Sequence, residues 1–479
     1  MSGPIARASF LSQLRVAYTG NPARFRAAFV AVLALVVLGM SLKYAAKVNK
    51  PGDSGQQSRS AFLRWRGMIH DVFTGTNIYI GVHEYPNPPI MAVVLKPFAD
   101  LPPVAGALAW FYAKVLMAGL AAVWVFRLVS GRGGKGKTPR EGGKPGAVFA
   151  SPSPALTLSP SALPDAAKAV AVLLALPPLL GDLSHNNVNI FILFLVAGCL
   201  EAYRRGWDTA AGLILGLAIA CKVTPLLFLA YFGYKRAWKV LAGCALGLVL
   251  WLAVVPGVAF GWSQNAELLE SWYKLMVRPP LVENRVTSEH PNQSVPGVVF
   301  RLLTRSPSFI VYPDNIPTPA AFHNLADIGM ANARWVVKGC LAAFGLLILA
   351  LCRAPKGERS GLRFAAECSL IVLGMLLFSE RTWKHHAVTL LLPYAVLTYC
   401  VFADGLSHRA KQLLVGVLIA VGVLTNIPGM LPHHAADLSM VYGSYTAAFL
   451  LLTAAVCGVL VACVSRAKRQ AAGGTSESL

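Results

Sequence analysis

The feature that most constrains this chain is its apolar runs, such as "FVAVLALVVLGM", "AVAVLLALPPLL" and "AAFLLLTAAVCGVLVAC". They show no period-two alternation. Crossing a hydrocarbon layer of about 30 Å takes a helix of about 20 residues, and only helices or closed barrels satisfy every backbone polar group there. Helices therefore win, and the chain reads as an all-α, polytopic membrane protein. Composition agrees: 56% of the 479 residues are hydrophobic and 13% charged, against about 25% charged in a soluble domain.

The spacing predicts about twelve spans, near 25–46, 104–129, 166–183, 187–203, 207–222, 224–236, 238–256, 334–353, 363–379, 386–403, 412–428 and 443–465. The stretch "LILGLAIACKVTPLLFL" could be one kinked helix or two short ones, because the proline disfavours helical geometry at Thr224. Charge decides. The net charge of +22 is concentrated in the N-terminal arm 1–24, the Gly/Lys- and Ser/Pro-rich loop 131–165, the stretch 353–363 and the tail 466–479. Basic loops beside spans mark the cytoplasmic side, and only the two-helix reading puts them all there. Both termini are then cytoplasmic, in a bacterial plasma membrane, with the domain 25–465 between them. The charge is a topology signal, with anionic lipid a weaker partner and nucleic acid excluded. The first run, which lacks a small-residue cleavage site, reads as a retained span. Nine cysteines, all in or beside apolar segments and without a CxxC, read as buried small hydrophobes.

On the outer side this topology collects the loop 47–103, "GDLSHNNVN", "KVTP", the loop 257–333, "SERTWKHH" and "PGMLPHHAADLSM". Within them, "YPNPP" is stiff, a helix is expected near 60–73, and "SQNAELLESWYKLM" is expected to lie along the interface. "PNQSVPGVVFRLL" is too short to span. "GRGGKGK" lacks the strand a phosphate loop needs and reads as a basic linker. Adjacent His385 and His386 diverge by about 100° on a helix, so a shared metal ion is not expected. Ionisable groups at membrane depth are usually functional, which singles out the histidines and Lys222.

The stretches "GTNIY…EYPNPP…LPP", "HNNVNIFILF", "LILGLAIACKVTPLLFL", "HPNQSVPGVVFRLL" and "SERTWKHHAVTLLLPY", in that order, resemble glycosyltransferase family 87. The likeness runs from about residue 60 to 465. It implies a GT-C membrane fold and transfer of a hexose, mannose first, from a polyprenyl phosphate to a lipid or glycan acceptor at the outer face. No cofactor, metal or obligate protein partner is implied. Arg64, Lys222, Arg301, Arg381 and Lys384 are the cations available to a donor phosphate, with Asn189 and Asn292 as polar contacts. Trp383 and Tyr85 offer flat faces, and His385 and His386 could donate to phosphate or accept a proton.

This chain departs from the family pattern in "NNVN", where GQxN is usual, and in Ser379-Glu380, where SP is usual. An early first-loop Asp is also replaced by the acid-free "SRSAFLRWR". The general base is then sought among Asp53, Glu84, Asp71 and Glu380, in that order, with a histidine behind them. The rival readings are a catalytically inactive relative that binds lipid-linked sugar and a lipid or solute transporter. Lys222, Arg301 and at least one of His385 and His386 are expected to border one cavity roofed by the loop 47–103.

Overall fold

The computed structural model describes residues 21–49, 60–81, 85–131, 163–283, 285–311, 313, 316–403 and 406–473, with side chains up to 465. Most of the expected linker 131–165 and of the N-terminal arm lies outside them.

Helix α1 (Pro22–Val48) starts at Asn21, whose side chain accepts from Arg24 N, with Pro22 in the first turn. Two shorter helices, α2 (Ala61–Phe73) and α3 (Pro89–Ala99), precede α4 (Pro103–Ser130), which Gly131 ends in the left-handed region at φ 67°. Next come α5 (Asp165–His185), α6 (Asn189–Arg204), α7 (Asp208–Cys221), α8 (Leu226–Tyr234) and α9 (Trp238–Phe260). The long second loop folds as α10 (Trp262–Trp272), α11 (Val295–Leu303) and a hairpin of β1 (Phe309–Val311) and β2 (Thr318–Ala321). The chain closes with α12 (Met330–Leu351), α13 (Leu362–Leu377), α14 (Lys384–Phe402), α15 (His408–Met430), α16 (His433–Val441) and α17 (Ser444–Gly473).

Eight of these are long and apolar enough to cross a membrane: α1, α4, α5, α9, α12, α14, α15 and the stretch Ser444–Ser465 of α17. The shorter α6, α7, α8 and α13, of 9 to 16 residues, lie where the other four spans are expected. Burial sorts them radially. Within the most apolar stretch of each, 83% of residues are buried in α14 but only 6% in α1 and in α12. The central helix is thus wrapped by protein and the outer two face lipid.

Side-chain bonds tie the helix ends into two opposite layers. At one end Arg26 pairs with Asp165, Gly361 N donates to Leu128 O, and Arg359 pairs with Asp208. Lys235 joins this layer by donating to Cys352 O and Ala354 O while pairing with Glu367 at 2.7 Å. At the other end Lys47 donates to Ser184 O and Lys222 to Asn189. The "KVTP" break therefore reverses the chain: α7 leaves the first layer at Asp208, and α8 returns to it by Lys235. Two short helices, not one kinked helix, occupy 208–234.

Glycines let that hairpin pack. Gly212 and Gly216 of α7 face Gly243 and Gly247 of α9, and both pairs have the Gly-x-x-x-Gly spacing. The pairing order, 212 with 243 and 216 with 247, makes the two helices parallel. A Cβ on Gly212 would lie 2.2 Å from Val240 O, and one on Gly243 2.4 Å from Thr209 O. Lipid tails offer no hydrophobic drive to helix association, so close backbone contact supplies it. Gly212→Val and Gly243→Val should each cost at least about 1–3 kcal/mol by overpacking. Thermal unfolding of the detergent-solubilised protein checks this, against Gly39→Ala as an unchanged control, because nothing lies within 4 Å of a Cβ at Gly39.

Candidate functional site

The second layer, where α5, α6, α7 and α14 meet, holds the polar groups. Helix α5 ends on Asn186, which takes the left-handed conformation (φ 51°, ψ 44°) that asparagine tolerates better than most residues. Its amide donates to Tyr44 Oη (2.8 Å) and Ala107 O (3.0 Å), and Tyr44 Oη lies 2.6 Å from Ser60 Oγ. Asn187 Oδ1 accepts from Val188 N, so its nitrogen faces His385 Nε2 at 3.3 Å. That bond makes Nε2 the acceptor. A neutral His385 then carries its proton on Nδ1, which is buried and unpartnered among the described residues.

Below the turn lies a fully buried ion pair. Lys114 of α4 donates to Asp182 Oδ2 and to Asp182 O, each at 3.1 Å. Asp182 Oδ1 accepts from Asn189 N (3.2 Å) and Asn189 Nδ2 (3.0 Å), capping α6 from outside its own sequence. Asn189 Oδ1 in turn accepts from Lys222 Nζ at 2.7 Å. Asp182 is thus the carboxylate that approaches Lys222 and the histidines.

The stretch "SERTWKHH" folds as a loop and a short 3₁₀ turn opening α14. Its backbone is held by the turn before α11: Asn292 Nδ2 donates to Glu380 O, Thr382 N donates to Asn292 Oδ1, and Gln293 N donates to Thr382 O. Trp383 stacks on His386 (6.4 Å between centroids, 13°), and Arg381 sits over its ring at 5.8 Å. His185 and His385 approach to 5.2 Å. Asn189, Lys222, Thr224, Ser379, Thr382, His386 and Thr389 line a small recess of about 20 Å³, walled by Ile192, Met375 and Leu376. Lys47, Arg64 and Lys384 lie within electrostatic reach of His185.

The predicted residues fall into three groups. Lys222, Asn189 and His386 line the recess; His385, Trp383, Arg381 and Lys384 belong to the same stretch as His386, and Arg64 lies within electrostatic reach of His185, whose ring meets His385. Arg301, Asn292 and Tyr85 do other work. Arg301 is fully buried and donates to five backbone carbonyls, of Val441, Ser288, Glu289, Asn292 and Met440, at 2.8–3.2 Å. Burial lowers its guanidinium to about 10, still charged at neutral pH. It is a clamp between two loops rather than a wall of the expected cavity. Asn292 is likewise committed to backbone, and Tyr85 is completely buried against Trp65, so it presents no open face.

The carboxylates separate as well. Asp71 ends α2, about 15 Å along the helix from Ala61, at the end where His70 reaches Ala99 O, not the end where Ser60 meets Tyr44. Glu380 is half-buried without an ion pair among the described residues, and burial raises its carboxyl above the usual range. Asp53 and Glu84 lie outside the described residues. Among the described residues no group of three or more His, Cys, Asp or Glu is arranged to hold a metal ion. Sequence reasoning missed Asp182, Lys114, Asn187 and Thr389. The first two carried a signal, as isolated charges inside "LLGDLSH" and "WFYAKVLMAG".

Arg301→Leu should take one donor from each of five carbonyls, of which Glu289 O and Met440 O keep others, and cost at least about 1–3 kcal/mol. The expected result is a lower unfolding temperature in detergent with or without added lipid, as befits a clamp.

A family model described as glycosyltransferase family 87 matches residues 85–380. A curated relative, the polyprenol-phosphate-mannose-dependent alpha-(1-2)-phosphatidylinositol mannoside mannosyltransferase of Mycolicibacterium smegmatis, is 26% identical over 276 residues. That match covers 56% of this chain and 54% of the relative, so the chain spans about half the length of the protein it matches. Among solved structures, ArnT from Cupriavidus metallidurans in the apo state aligns with 92% of this chain and 77% of its own, at 15% identity and a TM-score of 0.40.

Proposed function

Because the chain belongs to glycosyltransferase family 87, whose model matches more than half of it, we propose that it moves a hexose, mannose first, from a polyprenyl-phosphate donor to a lipid or glycan acceptor at the outer face of a bacterial plasma membrane. The observation that carries this reading is the small recess lined by Lys222, His386, Asn189 and four side-chain hydroxyls beside an apolar wall, inside a helical membrane protein. A donor whose tail stays in the bilayer can present its phosphate there. The mycobacterial relative is named for such a donor and for a glycolipid acceptor.

In the reaction the acceptor oxygen bonds to the anomeric carbon, the bond from that carbon to the phosphate oxygen breaks, and the acceptor proton passes to a base. Negative charge develops on the departing polyprenyl phosphate. Lys222 and His386, with Arg381 and Lys384 on the same stretch as His386 and Arg64 within electrostatic reach of His185, suit that charge in a place poor in water. Trp383, 38% exposed, supports a sugar face. Asp182 is committed to Lys114 and Asn189, which leaves the base among Glu380, Asp53 and Glu84, with Asp71 set apart by its place on α2. His386 follows if no carboxylate serves.

Orientation follows from charge. Arg204, Arg205, Lys235, Arg236 and Arg353 to Arg363 cluster in the layer opposite the cavity, which the positive-inside rule assigns to the cytoplasm together with both termini. In a background without native cysteines, cysteines at 145 and 285 should label from opposite sides of intact cells.

One observation favours a second reading, an inactive binder of lipid-linked sugar. In the window where the family has its Asp stands Ser60, fully buried beside Tyr44. Transfer from a radiolabelled polyprenyl-phosphate sugar by the protein in nanodiscs separates the two. Lys222→Met and His386→Ala should each lower the rate about 10²–10³-fold. Among Asp53→Asn, Glu84→Gln, Asp71→Asn and Glu380→Gln, one should abolish it. If that one is Glu380→Gln, the wild-type rate should fall as pH drops through a value above the usual carboxylate range, because the raised carboxyl protonates early. Binding of polyprenyl phosphate without transfer would establish the second reading.

A further inference from the structure

We infer that Lys114 and Asp182, two buried charges remote from any reacting atom, are positioning residues that set the place of the Lys222 ammonium through Asn189. The inference rests on the transferase reading and adds to it a relay: Lys114 Nζ to Asp182 Oδ2, Asp182 Oδ1 to the Asn189 amide nitrogen, Asn189 Oδ1 to Lys222 Nζ.

The direction of each bond follows from the chemistry of the groups. A carboxylate can only accept, so Asn189 must turn its NH₂ toward Asp182. Its carbonyl oxygen then points away from Asp182, and that is the atom Lys222 meets at 2.7 Å. The backbone N–H of Asn189 bonds the same Oδ1 at 3.2 Å, so the residue is gripped at two points and cannot flip without breaking both. Lys222 follows α7 in extended backbone (φ −158°, ψ 129°), released from the helix by the coming proline, and its place is otherwise set by a long flexible stem. The fixed carbonyl supplies what the stem lacks.

A purely structural role for the pair fits less well. A buried ion pair usually adds little stability over apolar residues of the same volume, since desolvation offsets the attraction. The pair here also spends its remaining oxygen on a residue that lines the cavity. His385, whose ring lies near His185 and within the field of Asp182, belongs to the same layer.

The test is a double-mutant cycle on the full chain in nanodiscs, read twice: as transfer rate from the polyprenyl-phosphate sugar, and as thermal stabilisation by polyprenyl phosphate alone. Asp182→Asn should lower the rate about 10²-fold, the size expected from misplacing a catalytic group by about 1 Å. In a Lys222→Met background the same change should cost less than about threefold, because the group it positions is gone. Should Asp182→Asn fail to fold, the paired replacement Lys114→Met with Asp182→Leu removes both buried charges together, and the same coupling to Lys222→Met is expected. Additive losses in both readouts would overturn the relay. A wild type that transfers while the cycle is additive overturns the relay alone. A wild type that neither transfers nor binds overturns the transferase reading and the relay with it.

Discussion

The carboxylate of Asp182 is the group around which the polar layer is built. An unpaired carboxylate in this interior would be costly by several kcal/mol, so its neighbours are dictated. Lys114 must come from α4, and the remaining lone pairs must be met by α6. Three helices from separate parts of the chain are thereby brought to one height. The turn between α5 and α6 follows from that height: Asn186 bends it, Asn187 reaches His385, and Asn189 reaches Lys222. One buried charge thus registers α4, α5, α6, the end of α7 and α14 against each other.

A second, independent constraint covers the layer. The segments 287–294 and 379–383 and the turn between α16 and α17 carry backbone groups away from water that no helix fully satisfies. Asn292, Gln293 and Arg301 meet much of that demand, helped by Ser379, His386 and Thr446. Gln293 donates to His290 O and Met440 O and accepts from Tyr445 N, so one side chain ties 287–294 to 440–446. The result is a rigid support behind "SERTWKHH", which explains how a loop can hold aromatic rings and cations at fixed places. Polar side chains that look like ligand contacts in a motif can be mortar.

Most of the fold is legible in the sequence because the bilayer admits few solutions. The run lengths set the spans, and the charge distribution selects the hairpin at "KVTP". The close Gly-x-x-x-Gly contact is invisible at that level, since helix spacing alone does not say which glycines meet. The site is legible as a layer but not as a set of partners. Lys222 and His386 stand out because charge at membrane depth is expensive. Arg301 stands out in its motif as a cation for a donor phosphate and is a clamp, because sequence cannot tell an arginine facing ligand from one facing carbonyls. Asp182 escapes notice because the family pattern places its acid in the first loop, far from "LLGDLSH" in the chain.

The short hairpin has a consequence for the bilayer itself. Helix α7 is 14 residues long, about 21 Å at 1.5 Å per residue, and so falls several ångströms short of an ordinary hydrocarbon thickness. A membrane meets such a deficit by thinning locally. The lipid annulus beside α7 and α8 would then be dimpled, with headgroups and water drawn down toward Lys222. A polyprenyl phosphate of the kind proposed as donor would then not have to lift its phosphate out of its leaflet to reach the recess, because the leaflet surface would come down to meet it. The elastic cost of the dimple is borne by the surrounding lipid, which would make the protein's working state responsive to acyl-chain length.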